Sequence, residues 1–339
     1  MPSKIVHAMQ KEQGVIVTFG ESLLRLSPPG CERFLQTPYF NAVFGGAEAN
    51  VAVALSSFGM KAALVTVLPE NNPIADAAVA EMRGLGVDTS RIVRAEGRLG
   101  TYYLEFGANH RAGRVVYDRE YSAMALAKPG DISWDKAFES AAWLHITGIT
   151  PAISASAANL SLEAMRQARK KGLMVSFDLN YRRNLWKWGR PAQEVMSEML
   201  EFTDILIGNE EHLRMMLQLP DPLAARELTD LVLERHPHLK AVSVSLRAQG
   251  WSACLHDRAE FLLSRSYDVT NAVDRIGAGD AFAAGLIYGW MNLPNRQDAL
   301  NFGAAACCLK HYIPGDYCRA TAEEVQALLN DSRPGQILR

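Results

Sequence analysis

An α/β fold with a mostly parallel central sheet is the class this sequence predicts. Short β-branched runs alternate with helical stretches along most of the 339 residues. Strands separated by helices favour parallel pairing, with both sheet faces covered. One segment breaks the alternation: two β-type runs around a Gly/Asn-rich turn, expected to stand outside the sheet as a small β lid.

After a polar leader, VIVTFG (Val15 to Gly20) reads as a buried strand ended by glycine. GGAEANVAVALSSFG (Gly45 to Gly59) follows as a small-residue helix with Gly59 as its stop. AALVTVL is strand-like, and PIADAAVAEMRGLG is a helix opened by Pro73 and closed near Gly86. GTYYLEFGANHRAGRVVYDREYSA (Gly100 to Ala123) is the hairpin. The lid is assigned to segments of about 21–42 and 100–124. AWLHITG then precedes the helical SASAANLSLEAMRQARKKG, whose Arg169, Lys170 and Lys171 before Gly172 suit a helix C-terminus. LMVSFDLN, DILIGN and AVSVSL are apolar strands, each followed by helical or turn-rich sequence. With no repeat, low-complexity stretch or linker, one domain over residues 1–339 is expected.

Hydrophobic content of 48% beside 21% charged residues is a globular balance, and a net charge of -2 gives no support to nucleic-acid or anionic-membrane partners. The five cysteines, Cys31, Cys254, Cys307, Cys308 and Cys318, form no CxxC pair, which fits a reducing cytosol better than a disulfide framework. MPSKIVHAMQKEQG lacks the apolar core of a secretory signal. No run approaches the roughly 18 apolar residues of a membrane helix. A soluble, cytoplasmic protein is expected.

DRIGAGDAFAAG (Asp274 to Gly285) carries the most chemistry. A Gly-x-Gly turn entering a helix leaves N–H groups unpaired at the positive end of the helix dipole, an anion site. Asp280 in the first turn is positioned to take a proton from an attacking hydroxyl, while the N–H groups of Ala278, Gly279 and Asp280 hold developing phosphate charge. Taken alone, the tetrapeptide reads first as a glycine turn with a helix-capping aspartate, because such tetrapeptides are common. No Lys-Ser/Thr follows, so it is not a Walker A loop. A dinucleotide-dependent dehydrogenase is also excluded, since VIVTFGESLLRL has no GxGxxG.

FGGAEANVA (Phe44 to Ala52) supplies a second Gly-rich helix entrance, and the pair resembles the two signatures of the ribokinase-like (PfkB) carbohydrate kinases. Gly45-Gly46-Ala47, Asn50, Ala52 and Gly59 match the first, with Pro69 in place of its closing glycine; Asp274, Gly277 to Asp280, Ala284 and Gly285 match the second, with Arg275 in place of a small residue. The resemblance runs from about Val15 to Leu329. It implies a ribokinase-like fold, ATP and Mg2+ as cofactors, Asp280 as catalytic base and Gly277, Ala278 and Gly279 as anion hole. On the nucleotide side, SLRAQG matches at Ser245 and Gly250 with Arg247 replacing a glycine. GNEEH matches at Asn209 with His212 where the family has a magnesium-linked glutamate, leaving Glu210 and Glu211 as substitutes. Asn301 falls where relatives close over adenine, and Asp274 where they hold a monovalent cation, K+.

The acceptor is argued separately. A sugar acid needs a cation for its carboxylate, best an arginine. Tyr102, Tyr117 and Arg119 come from the hairpin, with Tyr117 and Arg119 on one strand face. Asp178, Asn180 and Arg182 stand at a strand end, and Asp316 in a turn. GESLLRLSPPG, FGGAEANVAVAL, VYDREYSA, DLNYRRNLW and IPGD fall in the order of the 2-keto-3-deoxygluconate kinases, a resemblance that places Gly46, Tyr102, Tyr117, Arg119, Arg182 and Asp316 around an acid sugar. Fructose, ribose and 5-dehydro-2-deoxygluconate are alternative acceptors. A non-catalytic sensor of the same fold stays open on Arg275, Arg247 and His212. A homodimer through the lid is expected, because a second lid would cover the exposed sheet edge.

Overall fold

The computed structural model describes residues 14–219, 223–247 and 250–330. The chain begins with β1 (Val15–Phe19), β2 (Leu23–Ser27), β3 (Asn41–Gly45) and α1 (Ala47–Ser57). Next come β4 (Ala62–Val65), β5 (Val67–Pro69), α2 (Pro73–Gly84), β6 (Val93–Ala95), β7 (Gly100–Glu105), β8 (Arg114–Asp118) and two short helices, α3 (Ala123–Leu126) and α4 (Trp134–Ala137). The alternation then resumes through β9 (Ala141–Thr147), α5 (Ala155–Lys170), β10 (Met174–Asp178), α6 (Ala192–Leu200), β11 (Ile205–Asn209), α7 (Glu210–Leu217), α8 (Ala225–Arg235) and β12 (Ala241–Leu246). The chain closes with β13 (Ser252–His256), β14 (Phe261–Leu263), α9 (Ala278–Asn292), α10 (Arg296–Lys310) and α11 (Ala322–Leu329).

The large sheet has the order β14-β13-β12-β11-β10-β9-β1-β4. From β4 to β12 every pairing is parallel, and only the β12–β13 and β13–β14 pairings are antiparallel, so β13 alone runs against the rest. Strand alternation divides the core into two layers. Ile16 packs with α1, α9 and α10, whereas Val17 and Phe19 face α5 and α6. AALVTVL, expected as one strand, divides at Thr66: β4 ends the large sheet, and its continuation β5 leaves that edge to pair with β6.

The segment that broke the rhythm does stand apart. Its hairpin, β7 and β8, joins β2 and β3 in a four-stranded sheet of order β3-β2-β7-β8. These strands span 23–45 and 100–118, so β3 reaches beyond the expected limit near 42 and runs straight into α1. Opposite each other across the hairpin stand Tyr102 and Tyr117, their rings 6.4 Å apart.

β2 alternates inward and outward, and its inward residues are Leu23, Arg25 and Ser27. Arg25 ties this small sheet to the rest of the chain, bonding Asp274 at 2.8 Å and Asp316 at 2.7 Å. Tyr102 adds an O–H bond of 2.6 Å to the second Asp316 oxygen. All five cysteines are free thiols. Among the described residues no helix is long and apolar enough to cross a membrane.

Candidate active site

The DRIGAGD turn enters α9 with Gly277 in the left-handed region at φ 80°. A Cβ there would run into the Asp316 carbonyl, so both conformation and space require glycine. Ala278, Gly279 and Asp280 open the helix, where their N–H groups have no carbonyl one turn earlier in the helix. Ala278 N–H has only a long contact of 3.4 Å to the Arg275 carbonyl. The turn therefore presents amide donors at a dipole's positive end.

Asp280 is 7% exposed, and α1 reaches it through Asn50, whose Nδ2 donates to Oδ2 at 2.7 Å. Burial raises the Asp280 carboxyl to about 6, while Asn50 and Arg182 pull it down. It is thus a base poised just below neutrality. The Asn50 Oδ1 is buried without a partner, an acceptor left for a ligand hydroxyl. Asp178 stands nearby, raised to about 7 by burial and then by the Asp280 charge.

A pH dependence follows, and its sign is fixed by the role. Asp280 accepts a proton only when ionised, so kcat/KM should rise as pH increases through about 6 and level off above it. Asn50→Leu removes a bond to the charged form, and the acid limb should move to higher pH. An unmoved limb in that variant would separate Asp280 from the titration.

One cleft of 1030 Å³ collects the residues read from the sequence: Gly46, Tyr102, Tyr117, Arg119, Arg182, Asp280 and Asp316, expected around the sugar, together with Asn209, Ser245, Arg247, Gly250 and the Gly277 to Gly279 turn, expected around the nucleotide. Their partners change some of the expected roles. Arg119 is buried, and its Nε bonds Glu21 Oε2 at 2.5 Å. Its charge is largely compensated. Asp316 has both oxygens engaged, by Arg25 and Tyr102, so it braces the cleft wall. Arg182 is half-buried and, among the described residues, ion-paired with no carboxylate; its guanidinium donates to the Tyr181 carbonyl at 3.0 Å.

Asn209 caps α7 by accepting from the His212 N–H at 2.7 Å. His212 faces the cleft, and burial followed by Arg182 and Arg247 lowers its pKa to about 4. It is neutral at physiological pH and cannot replace a carboxylate. Of the two acidic substitutes, Glu211 lines the cleft, whereas Glu210 lies 3.7 Å from Arg214 on its own helix. Among the described residues no three His, Cys, Asp or Glu side chains gather as a metal cage. A single exposed carboxylate fits a magnesium ion carried in on phosphates.

Two expectations need correction. Asn301 does not line the cleft; its Oδ1 accepts from the Arg265 N–H at 3.1 Å, which fixes the end of β14 against α10. Asp274 offers no place to a monovalent cation. Its Oδ1 takes the Ile276 N–H at 3.0 Å, and its Oδ2 takes Arg25 and the Gly315 N–H at 3.1 Å.

The pfkB family carbohydrate kinase model matches residues 15–314. The chain belongs to that family. It is 32% identical over 323 residues to a 2-dehydro-3-deoxygalactonokinase of Haloferax volcanii, covering 94% of this chain and 98% of the relative. Among solved structures it is similar to a 2-dehydro-3-deoxygluconokinase of Thermotoga maritima, at 40% identity and TM-score 0.89, covering 94% of this chain and 98% of that one. The same fold, at 19% identity and TM-score 0.82 over 94% of this chain and 99% of that one, appears in a putative ribokinase II of E. coli in complex with ATP and Mg2+. This pfkB protein is therefore an enzyme, a carbohydrate kinase with the ribokinase-like fold.

Four residues around the pfkB centre do more than their sequence reading gave them. Asn50 was visible only as part of a glycine motif. Asp178 stood among strand-end residues without a titration partner. Arg25 and Lys310 lie in apolar runs, LLRLS and AACCLKHY, where a lone cation at a core-facing position was the available signal.

Proposed function

We propose that this pfkB kinase transfers the γ-phosphoryl group of ATP to the terminal hydroxyl of a 2-keto-3-deoxy sugar acid, first among them 2-keto-3-deoxygluconate. The observation that carries the substrate class is Arg182, a guanidinium in the same cleft as Asp280 that makes no direct ion pair among the described residues. A neutral sugar gains little from that charge; a carboxylate gains charge-assisted bonds. The names of both relatives support the class, and gluconate and galactonate forms differ in the configuration of one hydroxyl. The carboxylate assignment rests on Arg182, with Arg119, already paired, shaping the wall.

In the transfer, the hydroxyl oxygen attacks the γ-phosphorus while its proton passes to Asp280. The bond to the bridging oxygen breaks, and that electron pair leaves on ADP. The Gly277 to Gly279 turn supplies amide donors to the γ-oxygens. Arg247 and Ser245 flank the nucleotide end. Bound with ATP, Mg2+ would be held by the phosphates and, through water, by Glu211 and Asn209, and would neutralise charge on the β- and γ-oxygens. The small sheet acts as a lid excluding water from the sugar end, and a second copy covers its exposed Val116 face. A dimer in sedimentation supports that last point, and a monomer withdraws it. Free cysteines support a cytosolic setting.

Arg182→Ala tests the substrate class. Measured above the acid limb, where the shift of Asp280 no longer matters, it should lower kcat/KM for the keto acid by about 10–100-fold, the worth of bonds to a charged group, and leave a neutral sugar almost unaffected. Equal losses for both would place the carboxylate elsewhere.

A further inference from the structure

Lys310 ends α10 with none of its surface exposed, one of the largest fully buried side chains in the protein. A buried ammonium ordinarily sits on a carboxylate. Here it pairs directly with none among the described residues. Its Nζ instead donates to two backbone carbonyls, Ile313 at 3.0 Å and Asp274 at 3.4 Å. Those carbonyls belong to the two turns that meet beneath the anion hole, KHYIPGD and DRIGAGD. Gly277 lies directly above: a Cβ on that glycine would be 3.4 Å from Lys310 Cε.

Carbonyl oxygens converging on a desolvated monovalent charge are the donor set of an alkali-cation site. The resemblance led to K+ being expected at Asp274. Both Asp274 carboxylate oxygens are occupied by protein donors, and its carbonyl is taken by the ammonium. The alkali ion does not fit, because the protein's own cations are already there.

We propose that Lys310 is a positioning residue for phosphoryl transfer: its ammonium is a covalently attached monovalent cation that locks the turn leading into Asp280 and keeps positive potential behind the anion hole, so that turnover needs no alkali cation. The inference rests on the reading of Asp280 and the Gly277 to Gly279 turn as the transfer centre. Asp274, Asp316, Cys318 and Arg25 face the ammonium. Asp178, Asp316, Arg182 and Asn50 face Asp280, and His311 follows Lys310 in the chain. In that field the Lys310 charge lowers the Asp280 carboxyl, the sign a supporting cation requires. Burial lowers the Lys310 pKa, opposed by Asp274 and Asp316.

The first experiment uses the wild-type enzyme in tetramethylammonium buffer, with KCl or NaCl exchanged in at constant ionic strength. Turnover and melting temperature should both stay unchanged. The second uses Lys310→Met, which keeps the length of the side chain and removes the buried charge, so folding is expected to survive. Its kcat should fall by about tenfold or more with KM little altered, and its acid limb should move to higher pH. Several-fold stimulation of the wild type by K+, or a rise in its melting temperature with K+, would overturn the proposal. So would a folded Lys310→Met enzyme with wild-type kcat and an unmoved acid limb. Should Lys310→Met fail to fold, the wild-type comparison still decides. Failure of every sugar to be phosphorylated would strike at the transfer centre instead, since the melting curves read cation binding without turnover.

Discussion

Asp280→Asn should lower kcat by about 10²–10⁴-fold, the usual worth of a positioned general base. At 1.36 kcal/mol per factor of ten, that adds roughly 3–5 kcal/mol to the barrier. The substitution keeps the shape of the side chain. Asn50 can turn its amide so that the unpartnered Oδ1 accepts from the new NH2, and a buried negative charge is removed. The variant should therefore fold as well as the wild type and hold the sugar within a few-fold of its normal affinity. Calorimetric titration with the sugar, beside an ADP-release assay, separates the two effects. Turnover close to wild type would remove Asp280 from the chemistry.

Arg25→Ala should cost about 3–5 kcal/mol of stability at neutral pH, the penalty for leaving buried carboxylates without their partner. Arg25 meets Asp274 and Asp316 at once, with all three side chains almost wholly buried. Burial already raises the Asp316 carboxyl, and Arg25 is the leading influence holding it down. Without Arg25 that carboxyl takes its proton at higher pH, so the penalty should shrink as pH falls. Denaturant melts of both proteins at several pH values measure this. A pH-independent loss of about 1 kcal/mol would mean that the arginine only fills space.

How much of this was legible in the sequence depended on the range of the signal. The strands from VIVTFG to AVSVSL and the helices after them were readable because burial on both faces writes apolar runs, and caps and glycines mark the ends. AALVTVL was misread as one strand because nothing local records that its second half pairs with β6. The GAGD turn was readable because a glycine in the left-handed region and a first-turn aspartate are local requirements. The polar partners were not readable. Arg25 reaches Asp274 and Asp316 across more than half the chain, and Glu21, which neutralises Arg119, lies in the turn between β1 and β2, nearly a hundred residues away. Sequence pattern shows that a charged residue faces inward, and only the fold shows what it meets.

The most direct test of the central claim is ADP release by the purified protein with Mg2+–ATP, comparing 2-keto-3-deoxygluconate, 2-keto-3-deoxygalactonate, gluconate, fructose and ribose. For one or both keto deoxy acids kcat/KM should stand about a hundredfold above the neutral sugars, with phosphate on the terminal hydroxyl. Equal or better turnover of fructose or ribose would contradict it, and would return Arg182 to a structural role.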